Sequence, residues 1–251
     1  MSYPAVGVWI SAVYLISVTR SLGYHLNSRK VKMETTQKYI PALGHRWLTP
    51  LYDPLVHRIM REDELRNRLV LEADILPGMR VLDLGSGTGT LTILIKQSHV
   101  FTDVYGLDAD PQVLDIARSK AEKSGTKITL KQGMAYQLPY PNDWFDRVLT
   151  SLMLHHLDTA QKQQALKEVY RVVRPGGIFA ILDMGKPQGI YAHLVSQIMR
   201  HTEHARDNIQ GLLPSMLKDA GFGNIQEIES FDTLFGSLSL LRAEKPELAQ
   251  S

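Results

Sequence analysis

Residues 81–89 read Val-Leu-Asp-Leu-Gly-Ser-Gly-Thr-Gly. An apolar strand runs into a carboxylate and then into a turn with glycine at every second place. A strand covered on both faces reads as a near-continuous apolar run. Glycine lets the backbone turn sharply and lets a ligand approach without a Cβ in the way. A helix beginning near Thr88 would aim its free N–H groups, and the positive end of its dipole, at a ligand over the turn. Nineteen residues past Gly89, Val104-Tyr-Gly-Leu-Asp108 repeats the pattern of an apolar strand ending in a carboxylate. Asp108 stands where such a carboxylate accepts hydrogen bonds from ribose hydroxyls. Together these features predict a pocket for a nucleoside-bearing cofactor.

The glycine spacing narrows the cofactor. Gly85, Gly87 and Gly89 follow G-x-G-x-G, whereas the dinucleotide fingerprint has its third glycine one place later, where this chain has Thr90. A dinucleotide also brings a pyrophosphate to the helix N-terminus. Asp83, two residues before Gly85, suits a cationic ligand part instead, such as an amino or sulfonium group. Taken alone, the loop leaves a nicotinamide-dependent oxidoreductase open as the alternative.

The rest of the chain alternates strand and helix. Arg80–Leu84, Val104–Asp108, Lys127–Gln132, Phe145–Ser151 and Ile178–Asp183 read as strands. Thr88–Gln97, a helix from Pro111 to Ser124-Gly125 and Thr159–Val173 lie between them, the last closed by Arg174-Pro-Gly-Gly177. Pro111 takes the favoured first helical position. Such alternation predicts a doubly wound, mostly parallel α/β sheet with right-handed crossovers, its ligand beyond the carboxyl ends of the strands. Residues 36–76 read as mostly helical, broken by Pro41, Pro50 and Pro54, with an amphipathic helix over Arg61–Leu76. Beyond residue 185, helices are predicted over Ile190–His204 and Leu212–Ala220, and strands over Asn224–Ser230 and Leu234–Arg242.

Four blocks in this order resemble the class I S-adenosylmethionine-dependent methyltransferases. They are the glycine loop; Gln137-Leu-Pro-Tyr-Pro-Asn-Asp-Trp-Phe-Asp146; Arg147-Val-Leu-Thr-Ser-Leu-Met-Leu-His-His-Leu157; and Leu166-Lys-Glu-Val-Tyr-Arg-Val-Val-Arg-Pro-Gly-Gly177. Within that family the chain is most similar to the branch of ubiquinone and menaquinone C-methyltransferases. The resemblance implies a Rossmann-like sheet of seven strands, its last two closing it as an antiparallel pair, with an N-terminal helical cap. It implies S-adenosyl-L-methionine as cofactor, with Asp83, Gly85, Ser86, Gly87 and Gly89 around its methionine part. Asp108 would hold the ribose, with Ala109, Met134 and Ala135 by the adenine and Ser151 near the methyl group. Many relatives carry Asp where this chain has Met134. A relative that binds the cofactor without catalysing transfer is a second alternative.

Methyl transfer from a sulfonium is an in-line displacement by a donor already activated by its charge. The protein chiefly aligns the acceptor and excludes water. A base helps only where the acceptor has a proton to lose. His155 and His156 follow the fourth strand at the pocket mouth and are the candidate catalytic residues, histidine titrating near neutral pH. The competing reading has them positioning the loop. Tyr52, Asp53 and His57 belong to the helical cap, and Tyr52, His57 and His155 are candidate acceptor contacts. No metal is expected, although His201 and His204 have ligand-like i, i+3 spacing beside His193. Tyr136, Tyr140, Trp144 and Phe145 read as core and loop anchors.

Composition limits the partners. The chain has 251 residues, no cysteine and a net charge of +2. Disulfides, thiolate metal sites and cysteine nucleophiles are excluded. Residues 1–32 hold four basic residues (Arg20, Arg29, Lys30, Lys32) and no acid, so the remainder is slightly acidic. No nucleic-acid partner is expected of such a body. The resemblance to the quinone C-methyltransferase branch, with the apolar N-terminal stretch, implies a small lipophilic or quinone-like acceptor, and a cytoplasmic location is expected. Three organisational parts are read: an apolar N-terminal segment over 1–32, a helical cap over 33–76 and the catalytic domain over 77–251. The apolar stretch over 5–19 barely reaches the length of a membrane span. It reads as a weak anchor on the cytoplasmic face, as a helix packed on the domain or a second copy, or as an extension upstream of a true start at Met33. The oligomeric state is not legible.

Overall fold

The computed structural model describes residues 62–187, 205–233 and 236–247, all within one compact unit, Leu51–Ser251. The elements are α1 (Glu62–Glu72), β1 (Arg80–Leu84), α2 (Thr90–Ser98), β2 (Asp103–Asp108), α3 (Pro111–Lys123), β3 (Thr129–Gln132), β4 (Phe145–Ser151), a 3₁₀ turn (Leu154–His156), α4 (Thr159–Val172), β5 (Val173–Met184), α5 (Arg206–Ile209), α6 (Leu213–Asp219), β6 (Gly223–Thr233) and β7 (Gly236–Glu244). The expected helix over Ile190–His204, the apolar segment 1–32 and most of the expected cap lie outside the described residues. So do Tyr52, Asp53, His57, His193, His201 and His204.

Seven strands form one sheet in the order β3-β2-β1-β4-β5-β7-β6. The first five are parallel neighbours, and β7 runs antiparallel to both β5 and β6. Strand order reverses between β1 and β4, which makes the carboxyl ends of those two strands the switch point where ligands bind.

Alternation along each strand divides the core in two. Leu82 and Leu84 of β1 join Leu107, Val148, Phe179 and Ile181 under Leu166 and Val169 of α4. Val81 faces the other way, with Val104, Leu149 and Leu182 under Leu91 and Ile95 of α2 and Leu65 and Leu69 of α1. This period-2 division sends Asp83 to the α2 side, and Asp183 of β5 to the α4 side.

Local chemistry sets the element ends. Asp110 caps α3 by accepting from the Gln112 amide at 2.8 Å, with Pro111 next. Asp158 and Gln161 form a reciprocal capping box on α4. Helix α2 begins at Thr90, not Thr88, because the Gly89 amide donates back to the Ser86 carbonyl at 2.9 Å and Gly89 takes a left-handed φ of 77°. The fifth strand begins at Val173, five residues before its expected start. Pairing runs Phe145 with Val173 and then Arg147 with Ile178, so Arg174-Pro-Gly-Gly177 is a bulge within the strand. The amphipathic helix ends at Glu72, short of Leu76, and Asp74 follows at φ 48°. The buried Arg147 side chain of β4 donates from Nε to the Ala73 and Asp74 carbonyls, at 2.6 and 3.1 Å, and so satisfies the end of α1.

Candidate active site

Three segments meet at the switch point: the turn after β1, the end of β2 and the loop after β4. All three turn glycines are left-handed, with φ of 74° at Gly85, 51° at Gly87 and 77° at Gly89. The Gly85 and Ser86 amides both donate to the Leu107 carbonyl, at 2.8 and 3.0 Å, which ties the turn to β2. A Cβ on Gly89 would lie 2.8 Å from that of Ala117 on α3, so the helix can approach only a glycine. A Cβ on Gly85 would collide with Cγ of Met153, so the glycine turn also sits directly against the β4 loop.

Asp108 closes the end of β2. Its Oδ2 accepts from the Gly87 amide at 2.8 Å and its Oδ1 from the Asp110 amide at 2.9 Å. A carboxylate offers about four acceptor positions, so capacity remains for a ligand's hydroxyls. Burial pushes the Asp108 carboxyl above its usual range, against the pull of those two amides. The Gly133 amide donates to the Asp108 carbonyl at 2.9 Å, and Gln132 Nε2 to the Ala109 carbonyl at 3.1 Å. The turn carrying Met134 and Ala135, bridged between Met134 and Gln137, is thereby held beside Asp108 and Ala109. The fold thus gathers Gly85, Gly87, Gly89, Asp108, Ala109, Met134 and Ala135 around one edge.

Asp83, the carboxylate suited to a cationic ligand part, lies at the floor of the glycine turn. It is 1 % exposed. Its Oδ2 accepts from the Thr92 hydroxyl of α2 at 2.6 Å, and burial raises its pKa to about 7. A cationic ligand group near this carboxyl would favour its ionised form. No motif in the sequence marks Thr92 as its partner.

Ser151 ends β4, paired with Leu182 and on the Asp83 side of the sheet. His155 and His156 occupy the 3₁₀ turn that follows, their ring centres 4.1 Å apart. Nδ1 of His155 lies 2.7 Å from Oδ1 of Asp183, a carboxylate buried at the end of β5. Asp183 and its neighbour Asn208 of α5, whose Nδ2 donates to Asp183 at 3.2 Å, were not picked out in the sequence. The signal for Asp183 was present. Phe179-Ala-Ile-Leu-Asp183 repeats the apolar run ending in Asp already used for Asp83 and Asp108.

Among the aromatic anchors, Tyr140 and Phe145 meet edge to face at 4.8 Å, and the Arg80 guanidinium lies 4.1 Å over Trp144. Arg171 of α4 donates to the Leu138 and Tyr140 carbonyls and pairs with Glu168, which accepts from the Leu138 amide. These bonds hold the segment before β4 in place. A recess of about 460 Å³ lies at the opposite end of the sheet, lined by Arg147, Arg242 and Lys245 and by Asp74, Glu244 and Glu247. Among the described residues no three His, Cys, Asp or Glu groups could hold a metal, and no helix is long and apolar enough to cross a membrane.

The methyltransferase-domain family profile matches residues 81–177. An uncharacterised methyltransferase of Synechocystis sp. is 36% identical over 180 residues, covering 70% of this chain and 82% of that protein. The chain belongs to the S-adenosylmethionine-dependent methyltransferases. A demethylmenaquinone methyltransferase of Thermus thermophilus is 34% identical over 143 residues, 56% of this methyltransferase and just under two thirds (64%) of the relative. The YcgJ protein of Bacillus subtilis, 19% identical, shares the fold with a TM-score of 0.62 over 73% of this chain and 98% of its own. The nicotinamide alternative falls away with the family assignment.

The described residues fit the cofactor of this family. Ser86 Oγ in the glycine turn is buried without a hydrogen-bond partner, an atom that a bound ligand would satisfy. Gly87 has open space where a Cβ would stand. Asp108 presents a carboxylate beside it.

Proposed function

We propose that this methyltransferase transfers a methyl group to a small, lipophilic, quinone-like acceptor carrying an acidic hydroxyl. The observation that carries this reading is the His155–Asp183 pair in the loop after β4, since a base at the carboxyl ends of the strands serves an acceptor with a proton to lose. The name of the Thermus thermophilus relative points the same way. S-adenosyl-L-methionine, when bound, supplies a methyl group on a positively charged sulfur. In this reading the glycine turn and Ser86 hold its methionine part, with Asp83 beneath and Ser151 near the methyl group. Asp108 binds the ribose, and Ala109, Met134 and Ala135 border the adenine. His155 takes the acceptor proton, and His156 packs against its ring. Tyr52 and His57 contribute from the N-terminal part. The enzyme works in the cytoplasm, at a membrane surface through residues 5–19 where the acceptor is lipid-soluble, and it binds no nucleic acid.

The test is transfer of radiolabelled methyl from S-adenosylmethionine to reduced short-chain naphthoquinones and benzoquinones lacking a ring methyl, with phosphoethanolamine as the amine control. Labelled quinol product is expected. Transfer to the amine alone would refute the acceptor class. Cofactor binding with no transfer to any acceptor would mark a non-catalytic relative.

A further inference from the structure

Asp183 gathers an unusual number of donors. Oδ2 accepts from the Met153 amide at 3.1 Å and the Leu154 amide at 2.7 Å. Oδ1 accepts from its neighbour Met184's amide at 2.7 Å and from Asn208 Nδ2 at 3.2 Å, and meets His155 Nδ1 at 2.7 Å. The donors come from the β4 loop, the end of β5 and α5. Burial works to raise the Asp183 pKa. The hydrogen bonds of the His155 ring and the Met184 amide, with the attraction of the His155 ring whenever it is protonated, outweigh it and hold the carboxyl below its usual range. An ionised carboxylate only accepts, so the nitrogen facing it must carry a proton.

We infer that Asp183 is a positioning residue that locks His155 in its Nδ1–H form, leaving Nε2 as the acceptor nitrogen for the substrate's proton. This inference rests on the acceptor reading above and names the group that orients its base. In the step so arranged, the acceptor's O–H proton passes to Nε2. The acceptor's electron pair forms the bond to the methyl carbon, and the pair of the breaking S–C bond stays on sulfur. Asp183 keeps its charge throughout and faces the imidazolium that results. Asn208 contributes by holding Oδ1 from the side of α5. Its own Oδ1 is buried without a partner, so the orientation of its amide is set by the carboxylate.

Asp183→Asn tests this sharply. Two fixed amides, of Met153 and Leu154, meet Oδ2 against the single Met184 amide on Oδ1, and Asn208 can turn its own unpartnered Oδ1 to face a donor, so the new side chain sets its oxygen on Met153 and Leu154 and its NH₂ toward His155 Nδ1. A donor there selects the Nε2–H form and blocks the base. The experiment combines nitrogen NMR of ¹⁵N-histidine-labelled protein, which reads the tautomer directly and needs no acceptor, with kinetics on a reduced short-chain naphthoquinone. Expected are an Nδ1–H ring at His155 in the wild type, an Nε2–H ring in D183N, and a fall in kcat of roughly 10²–10⁴-fold. Cofactor KM should hold within about threefold. On a His155→Ala background, D183N should add less than about threefold, since two residues acting as a unit are not additive. An Nε2–H ring in the wild type overturns the inference, as does wild-type kcat in D183N or a D183N loss that multiplies with that of H155A. If D183N does not fold, the wild-type tautomer decides alone. A wild type inactive on quinols would refute the acceptor class while leaving the tautomer result standing.

Discussion

Replacing Asp83 by Asn should change how stability depends on pH, and the size follows from where the carboxyl sits. Burial raises its pKa to about 7 from an ordinary 3.8, with the Thr92 hydroxyl opposing. Below pH 3.8 the group is protonated in folded and unfolded chains alike. Between 3.8 and about 7 the unfolded chain gives up the proton while the folded one keeps it, so wild-type stability falls as pH rises. Above that range both forms are ionised and the loss is complete. At about 1.4 kcal/mol per pH unit, the full loss is about 4 kcal/mol, of which about 3 falls between pH 5 and pH 8. Asn keeps the shape and does not titrate. Its amide adds a constant offset, from a different fit to Thr92, that cancels when values at two pH settings are compared. Urea unfolding of both proteins without cofactor, at unit steps from pH 5 to 8, gives the stability difference. D83N should gain about 3 kcal/mol on wild type across that range, most of it below pH 7. A difference flat to about 0.5 kcal/mol would show that Asp83 is already ionised in the folded protein and that the burial argument fails.

Two further substitutions probe other parts of the molecule. Asp108→Ala removes the acceptor of the Gly87 and Asp110 amides and should weaken S-adenosylmethionine binding by about 1–3 kcal/mol, read by calorimetry; unchanged affinity would mean the carboxylate does not hold the ribose. Lys162→Met leaves Asp207 without the buried ammonium that lies 3.2 Å away and should cost about 3–5 kcal/mol in urea unfolding; a loss below about 1 kcal/mol would show that Thr159, which also donates to Asp207, suffices.

Much of this was legible in the chain, for definite reasons. Arg80–Leu84 and Phe145–Ser151 are legible to the residue because each centres on a short apolar stretch, Val81-Leu82 with Leu84 and Val148-Leu149, bounded by turn residues. The bulge at Arg174-Pro-Gly-Gly177 was not, because those residues signal a turn, and only pairing with β4 shows that the strand continues through them. The glycine turn and Asp108 were visible because their chemistry is local. The partners of Asp83 and His155 were hidden because Thr92 lies on the following helix and Asp183 lies 28 residues beyond His155. A side chain's face can be read from strand period. The group that meets it across the sheet cannot.

The strand order has a consequence for how the chain assembles. β7 follows β6 in sequence yet lies between it and β5. When β6 leaves the ribosome its final neighbour does not yet exist, and the flank of β5 stays open until β7 arrives. Thr233 and Gly236 pair across the tip of the hairpin, with the Thr233 hydroxyl donating to the Gly236 carbonyl at 2.7 Å. Hairpins close within microseconds, so the two strands can join first and dock together. That docking covers an exposed strand edge of the kind that seeds aggregation. Gly236, at φ 118°, therefore bears on the speed with which the nascent sheet is sealed as well as on the shape of its rim.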